Sequence, residues 1–275
     1  MTQLEERAGT STYSVHRVTS QGRQDVLAEV ILEEPLAIEV NGREIAVLMR
    51  LPGQEKELAV GFLLSEGIIS DFRAVQMVHH CSQGLPTPDG DFSRNRVQIR
   101  VDPAGLRSDR HWEKARLIRS GCGAVDLAIQ DIELPPVESD LTVKMEVLFG
   151  LNSTLRQHQR AYKLAGGVHA AALFLPDGHL LTLQEDIGRH NAVDKVLGYC
   201  ILRGIPLEDK LLLSTGRASY EMVEKAARLG LPLLASTSSP TSLAVDLARQ
   251  VRCTLVGYLR SRSMNIYTHS WRILE

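Results

Sequence analysis

The sequence predicts a layered α/β fold preceded by a smaller β-rich part, and three observations predict it. From Val168 onward, short apolar runs alternate with amphipathic ones at the spacing of strands joined by helices. Ahead of them, two strand-like runs flank Asn41-Gly42, a dipeptide suited to a tight hairpin. Hydrophobic residues make up 44% of the 275 residues and aromatic ones 5%, so the core is built mainly from Leu, Val, Ile and Ala. That length fits one large domain or two unequal ones. The expected organisation is an arm over residues 1–20, a β-rich part with the Cys122 loop over 21–138, and the α/β part over 139–275.

Residues 1–20 are polar and without period, which reads as a loose arm. The runs LAIEV and EIAVLMRL, between Val26 and Leu51, are the strands of the hairpin. QEKELAVGFLLSEGII follows as a helix, with Leu58 and Phe62 on its apolar side and a stop at Gly67. The stretch from Gly84 to Asn95 is rich in Pro, Gly, Asp and Ser and reads as a loop. RVQIRV alternates Val97, Ile99 and Val101 as a half-buried strand does. Residues 102–138 have little period. After Thr142, the positions Val143, Val147, Leu148, Leu151 and Leu155 fit a helix face. VHAAALFL and LLTLQ are strands joined by Pro176-Asp177-Gly178, and residues 191–203 form a helix. LLLST, ASYEMVEKAARLG, LPLLAST, SLAVDLARQ and CTLVGYL complete the alternation of strand and helix.

The totals exclude several classes. A net charge of −2 argues against an electrostatic nucleic-acid binder. The N-terminus has acidic residues and no apolar segment, unlike a signal peptide. No apolar run approaches the roughly 18 residues needed to span a membrane. Cys81, Cys122, Cys200 and Cys253 are far apart, and without an export signal they read as reduced thiols of a cytoplasmic protein.

Cys122 lies between Gly121 and Gly123, which leave the backbone free and the sulfur uncovered. Arg116 and Arg119 favour the thiolate that a nucleophile needs. The alternative is a small buried hydrophobe. Cys200 and Cys253 fall on apolar positions and look structural, and Cys81 after His79-His80 lacks the spacing of a metal ligand set. Gln184-Glu185-Asp186-Ile187-Gly188-Arg189-His190-Asn191 places polar side chains at a strand end, where α/β sheets bind ligands, or where Asn191 caps a helix. Ser214-Thr215-Gly216-Arg217 and Ser236 to Pro240, including Ser238, each follow a strand and open a helix, so they read as anion sites or as simple caps. Tyr258-Leu259-Arg260-Ser261-Arg262-Ser263 puts two arginines on one side of an extended chain, a fork for phosphates or a charged sheet edge. His111-Trp112-Glu113 is an isolated H-x-E with no C-x-x-C to complete a zinc site, so zinc is not expected.

EDIGRHNAVDKVLG, GGVHAAAL, LLLSTGRASYEMVEKAA and RSRSMNIYTH together resemble the FdhD family of formate dehydrogenase accessory sulfurtransferases. EEPLAIEVNG and LAVGFLLSEGII look like the same family, so the resemblance covers roughly residues 28–270. It implies a cytidine deaminase-like layered domain with a mixed sheet and a lost zinc site. It also implies a persulfide on Cys122, received from a cysteine desulfurase and delivered to molybdenum bis-guanine-dinucleotide cofactor for formate dehydrogenase. The family's cofactor segment maps onto Tyr258 to Ser263, with GDP as a nucleotide mimic, and His169, Glu185, Asp186, Arg189, His190, Asn191, Ser214, Gly216, Arg217 and Ser238 are secondary candidates. Homodimers are usual in the family. Where many members carry C-x-x-C on the loop, position 125 here is Val, so a partner thiol is missing from it. The competing reading is an insertion chaperone that binds the cofactor without moving sulfur.

Overall fold

A computed structural model of the chain describes residues 9–80, 95–106 and 134–275. It opens on an antiparallel ribbon of β1 (Thr10–Thr19) and β2 (Gly22–Ile31), paired without a bulge from Thr10 opposite Ile31 to Thr19 opposite Gly22. Residues 10–19, expected as part of a loose arm, are therefore a strand. Most of the ribbon lies in solvent, so neither strand shows the buried-face alternation that marks a strand in a sequence.

β3 (Glu34–Val40) and β4 (Arg43–Arg50) form the expected hairpin. Asn41 and Gly42 have φ of +49° and +80°, as this tight turn requires. The Asn41 amide bonds both backbone groups of Val101 at 2.9 Å, which fixes the turn to the neighbouring strand. With β5 (Val75–His80) and β6 (Arg96–Val101), the hairpin makes a sheet ordered β4-β3-β6-β5. Against it lies α1 (Glu55–Ser65), in which every residue from Leu58 to Ser65 is buried. A helix buried all round is sandwiched between layers.

The second layer follows as β7 (Val143–Lys144), α2 (Met145–His158), α3 (Ala161–Ala165), β8 (His169–Phe174), β9 (Leu180–Asp186) and α4 (Arg189–Leu202). Then come β10 (Leu211–Ser214), α5 (Tyr220–Arg228), β11 (Leu233–Ser236), α6 (Ser242–Gln250), β12 (Thr254–Gly257), β13 (Asn265–Ile266) and β14 (Ile273–Leu274). Six strands form a mixed sheet ordered β13-β12-β11-β10-β8-β9. β10, β11 and β12 are parallel, while β8, β9 and β13 run antiparallel to their neighbours. The sheet is buried on both faces: Ala171, Leu173, Leu212, Leu234 and Leu255 pack with α4, α5 and α6. Ala170, Ala172, Phe174, Leu211 and Leu213 pack with Leu148, Leu151 and Leu155 of α2.

Three boundaries differ from the expectation. Val137 already belongs to the α/β core, and its N–H donates to Val251 O at 2.8 Å. Gly188, not Asn191, is the cap of α4. Helix α5 begins at Tyr220, two residues beyond the expected Ala218, while α6 keeps the expected bounds.

The two parts meet where α1 crosses α4. A Cβ on Gly198 would lie 1.9 Å from Glu57 O, and one on Gly61 would lie 1.9 Å from Asp194 O. Glycine at both positions is what lets the helix backbones touch.

Candidate functional site

The carboxyl ends of β10, β11 and β12 share one edge of the mixed sheet. Because β8 is antiparallel to β10, its first residue, His169, lies at that same edge, opposite Asp186 at the end of β9. The topology thus brings His169, Asp186, Ser214, Ser236 and Gly257 together, with the loops that follow them. Their backbones are laced. Thr215 N donates to Ala170 O at 2.9 Å, and Thr237 N to Ser214 O at 3.1 Å. Tyr258 N and Leu259 N donate to Ser238 O and Ser236 O at 2.9 and 3.0 Å.

The buried hydroxyls of Ser214 and Ser236 repeat one local design. Ser214 Oγ accepts from Gly216 N at 3.2 Å, and Ser236 Oγ accepts from Ser238 N at 2.9 Å. Each turns the chain sharply as it leaves its strand. Ser236 Oγ also donates to Gly216 O at 2.6 Å, joining the two turns. Gly216 is needed for space, since a Cβ there would lie 2.7 Å from the side chain of Arg189. Thr241 caps α6 with its own hydroxyl, accepting from Ala244 N at 3.3 Å. That N-terminus therefore does not open directly after Ser238, as the sequence suggested.

Several candidates are committed to structure. The Glu185 carboxylate accepts from the N–H groups of Arg160, Ala161 and Tyr162 at 2.7–2.9 Å, capping α3. Asp186 is fully buried, 2.7 Å from Lys195 Nζ, and accepts from Leu51 N, Gly188 N and Asn191 Nδ2. Asn191 also donates to Met49 O at 2.8 Å, so this network ties the end of β4 to the start of α4.

Other candidates face the rim or lie beneath it. His169 Nδ1 is 3.4 Å from Thr215 Oγ1, and burial followed by the nearby Arg189 lowers its pKa. His190 lies 3.9 Å from the Glu221 carboxylate with its Nε2 buried and without a hydrogen bond. Burial, then Lys225 and Arg189, push its pKa down to about 4. Both imidazoles are therefore neutral at pH 7. Arg217 and Arg262 are exposed. Arg260 Nη1 donates to Thr237 O and Leu259 O at 2.5 and 2.9 Å, which presents its guanidinium at the rim.

The segment from Tyr258 to Ser263 departs from the extended form expected of it. Tyr258 has φ +52°, and Arg260 N donates to Ser263 O at 2.8 Å, so the chain turns and the two arginines do not alternate as on a strand. Leu259 is fully buried in the core beside Val256 and Leu233, and its side chain anchors the segment. Sequence reasoning missed Lys195 and Lys225, which sit at helix positions that look solvated until the fold buries them.

A family model described as FdhD/NarQ matches residues 31–274. The chain belongs to the FdhD/NarQ family. Sulfur carrier protein FdhD of Streptomyces avermitilis is 41% identical over 255 residues, covering 89% of this chain and 88% of that protein. Sulfur carrier protein FdhD of Saccharolobus solfataricus is 39% identical over 249 residues, covering 89% and 90%. A crystal structure described as a candidate formate dehydrogenase accessory protein from Desulfotalea psychrophila superposes with a TM-score of 0.78 at 28% identity, covering 97% of this chain and 100% of that one.

Of this family member's four cysteines, Cys81 and Cys122 lie outside the described residues, as do Arg116, Arg119, Val125 and His111-Trp112-Glu113. Cys200 and Cys253 are fully buried, and burial pushes their thiols up to about 11 and about 12. They stay protonated at pH 7 and are poor nucleophiles. Among the described residues, no group of three or more His, Cys, Asp and Glu side chains could hold a metal ion. No helix among them is long and apolar enough to cross a membrane.

Proposed function

We propose that this chain is a sulfur carrier for formate dehydrogenase, working through a persulfide on Cys122. The observation that carries the reading is the family match over residues 31–274, with relatives named sulfur carrier proteins at 41% and 39% identity. The Cys122 thiolate attacks the terminal sulfur of a cysteine desulfurase persulfide, the donor's S–S bond breaks, and the donor leaves as its thiolate. The sulfur is then delivered to molybdenum bis-guanine-dinucleotide cofactor, bound as substrate. Burial of Cys200 and Cys253 as protonated thiols supports this assignment, because neither suits the role. Such a reaction belongs to a compartment that keeps thiols reduced, the cytoplasm. The mixed sheet with helices on both faces supports cytidine deaminase-like layering.

Incubation with a cysteine desulfurase and cysteine should add about 32 Da, one sulfur, to the peptide containing Cys122. The gain should vanish in Cys122→Ser while GDP binding stays. Sulfur found on Cys81 instead, or on no cysteine, would overturn the carrier mechanism; the latter result would leave cofactor binding without sulfur transfer.

The rim at the ends of β10, β11 and β12 is our proposal for the guanine-nucleotide site. Arg260 is held there by two carbonyls, and a charge-assisted bond to phosphate contributes about 1.5–3 kcal/mol. Arg260→Ala should therefore weaken GDP binding at least about tenfold in calorimetry. Unchanged affinity would move the site elsewhere.

A further inference from the structure

A guanine nucleotide offers a protein two handles, its phosphates and the edge of its base. On that edge guanine N1–H and the 2-amino group both donate, whereas adenine has an acceptor at N1 and no amino group at C2. The side chain that tells them apart is an ionised carboxylate, which accepts at both oxygens and has no donor. Most carboxylates at the rim and beneath it are committed. Glu185 caps α3, Asp186 is paired with Lys195, Glu66 with Lys225, and Glu224 with Arg228 at 2.6 Å. Glu221, in the first turn of α5, is the exception.

Ser219 Oγ donates to Glu221 Oε2 at 2.6 Å, and although Ser219 is the N-cap residue of α5, its side chain makes no cap bond. A serine at that position usually accepts from the N–H groups of its own helix. Here its hydroxyl is turned to hold the carboxylate instead. The nearest ring nitrogen, His190 Nε2, is 3.9 Å away and neutral at pH 7. Among the described residues no Lys or Arg lies within ion-pair distance of Glu221, and its side chain is 39% exposed, so Oε1 is open to a ligand. Burial opposes its charge, but the Ser219 hydroxyl, the backbone N–H and Arg189 more than offset this and its pKa is lowered. Glu221 is an anion at pH 7.

We propose that Glu221 reads the base of the bound guanine nucleotide, accepting from N1–H and from the 2-amino group. The assignment rests on the rim being the guanine-nucleotide site, and the placement of the residue fits that site. The loops after β10 and β11 are joined, with Ala218 N donating to Ser239 O at 3.1 Å and Thr237 Oγ1 to Thr215 O at 3.3 Å. Arg260 comes from the end of β12, two strands from β10 in the sheet, or about 10 Å at the usual strand spacing. A ribose and base bridge a gap of that order, so phosphates held by Arg260 leave the base near α5. An acidic residue in a first turn also answers the helix dipole. That role needs neither an open oxygen nor a serine to fix the rotamer.

Calorimetry of the full chain with GDP, IDP, XDP and ADP tests this. Inosine lacks the 2-amino group, xanthine replaces it with an oxygen that a carboxylate repels, and adenine lacks both donors. The parent should therefore bind GDP at least about tenfold more tightly than IDP, and XDP and ADP more weakly still. In Glu221→Gln the amide donates to the xanthine oxygen. GDP should then weaken at least about tenfold, while XDP binds more tightly than it does to the parent. Arg260→Ala should instead weaken all four nucleotides alike. A side chain that only answers the helix dipole would shift the melting temperature and leave the order of the bases intact. A parent that binds GDP, IDP and XDP equally, or a Glu221→Gln variant that keeps the parent's order, would overturn the base assignment and leave the phosphate site standing. If no nucleotide bound the parent, the rim site and the base assignment would fall together.

Discussion

Gly198→Val should cost the protein at least about 3 kcal/mol, because the new side chain has no space to enter. A Cβ at that position already lies 1.9 Å from Glu57 O and 2.7 Å from the Glu57 carbonyl carbon. The obstacle is backbone on another helix, so no rotamer relieves it. Helices α1 and α4 must part by more than an ångström, and the cores on both sides of α1 lose contact together. Domains have roughly 5–15 kcal/mol in total, so the variant should melt many degrees lower or fail to accumulate. Gly61→Ala meets Asp194 O in the same way. The two changes press on one contact, so Gly61→Ala with Gly198→Ala should cost clearly less than the sum of the single changes. Thermal unfolding of Gly198→Val, of the two single alanine variants and of the double alanine variant measures this. Single variants that melt within a degree or two of the parent would mean the helices are free to slide apart.

That contact also shows what the sequence could and could not reveal. The hairpin at Asn41-Gly42 and the alternation from β8 to β12 were legible because turn chemistry and apolar runs are local signals. Gly61 and Gly198 were silent, since each is an isolated glycine inside a helical pattern and their meeting is tertiary. The ribbon was missed for a related reason: with no buried face, β1 carries no period to detect. At the rim, the clustering of polar strand ends was legible, but the commitment of each side chain was not. Glu185 and Asp186 read as ligand candidates, and their partners are backbone N–H groups and Lys195, brought in from α3, β4 and α4. Leu259 sat in a candidate binding segment and is a core residue that anchors it. Nothing local in EDIGRHNAVDK separates a carboxylate that caps from one that binds.

Lys225→Met should be costly at neutral pH and progressively less so in acid. Lys225 is buried, 3.0 Å from Asp194 Oδ1, 2.9 Å from Ser65 Oγ and 2.5 Å from Glu66 Oε1. Its ammonium therefore answers two carboxylates from two different helices, α4 and the end of α1. Removing it leaves Asp194, 1% exposed, facing Glu66 with no cation between them. Breaking a buried ion pair from one side costs about 3–5 kcal/mol, which is the loss expected at pH 7.5. The pH dependence follows from Asp194. Burial raises its pKa from 3.8 to about 6, against the pull of Lys225 and with the push of Glu66. A carboxyl that holds its proton more tightly folded than unfolded favours the folded state at low pH, and that contribution is lost as pH rises through the folded value. Without Lys225 the pull downward is gone, so the Asp194 pKa should climb further and the loss should extend to higher pH. Urea unfolding should then find the variant's deficit large at pH 7.5 and much reduced near pH 5, where Asp194 is protonated and His190, pushed down to about 4, is still neutral. A deficit that stays constant between those pH values would mean that Lys225 stabilises by packing alone and that the two carboxylates find another partner.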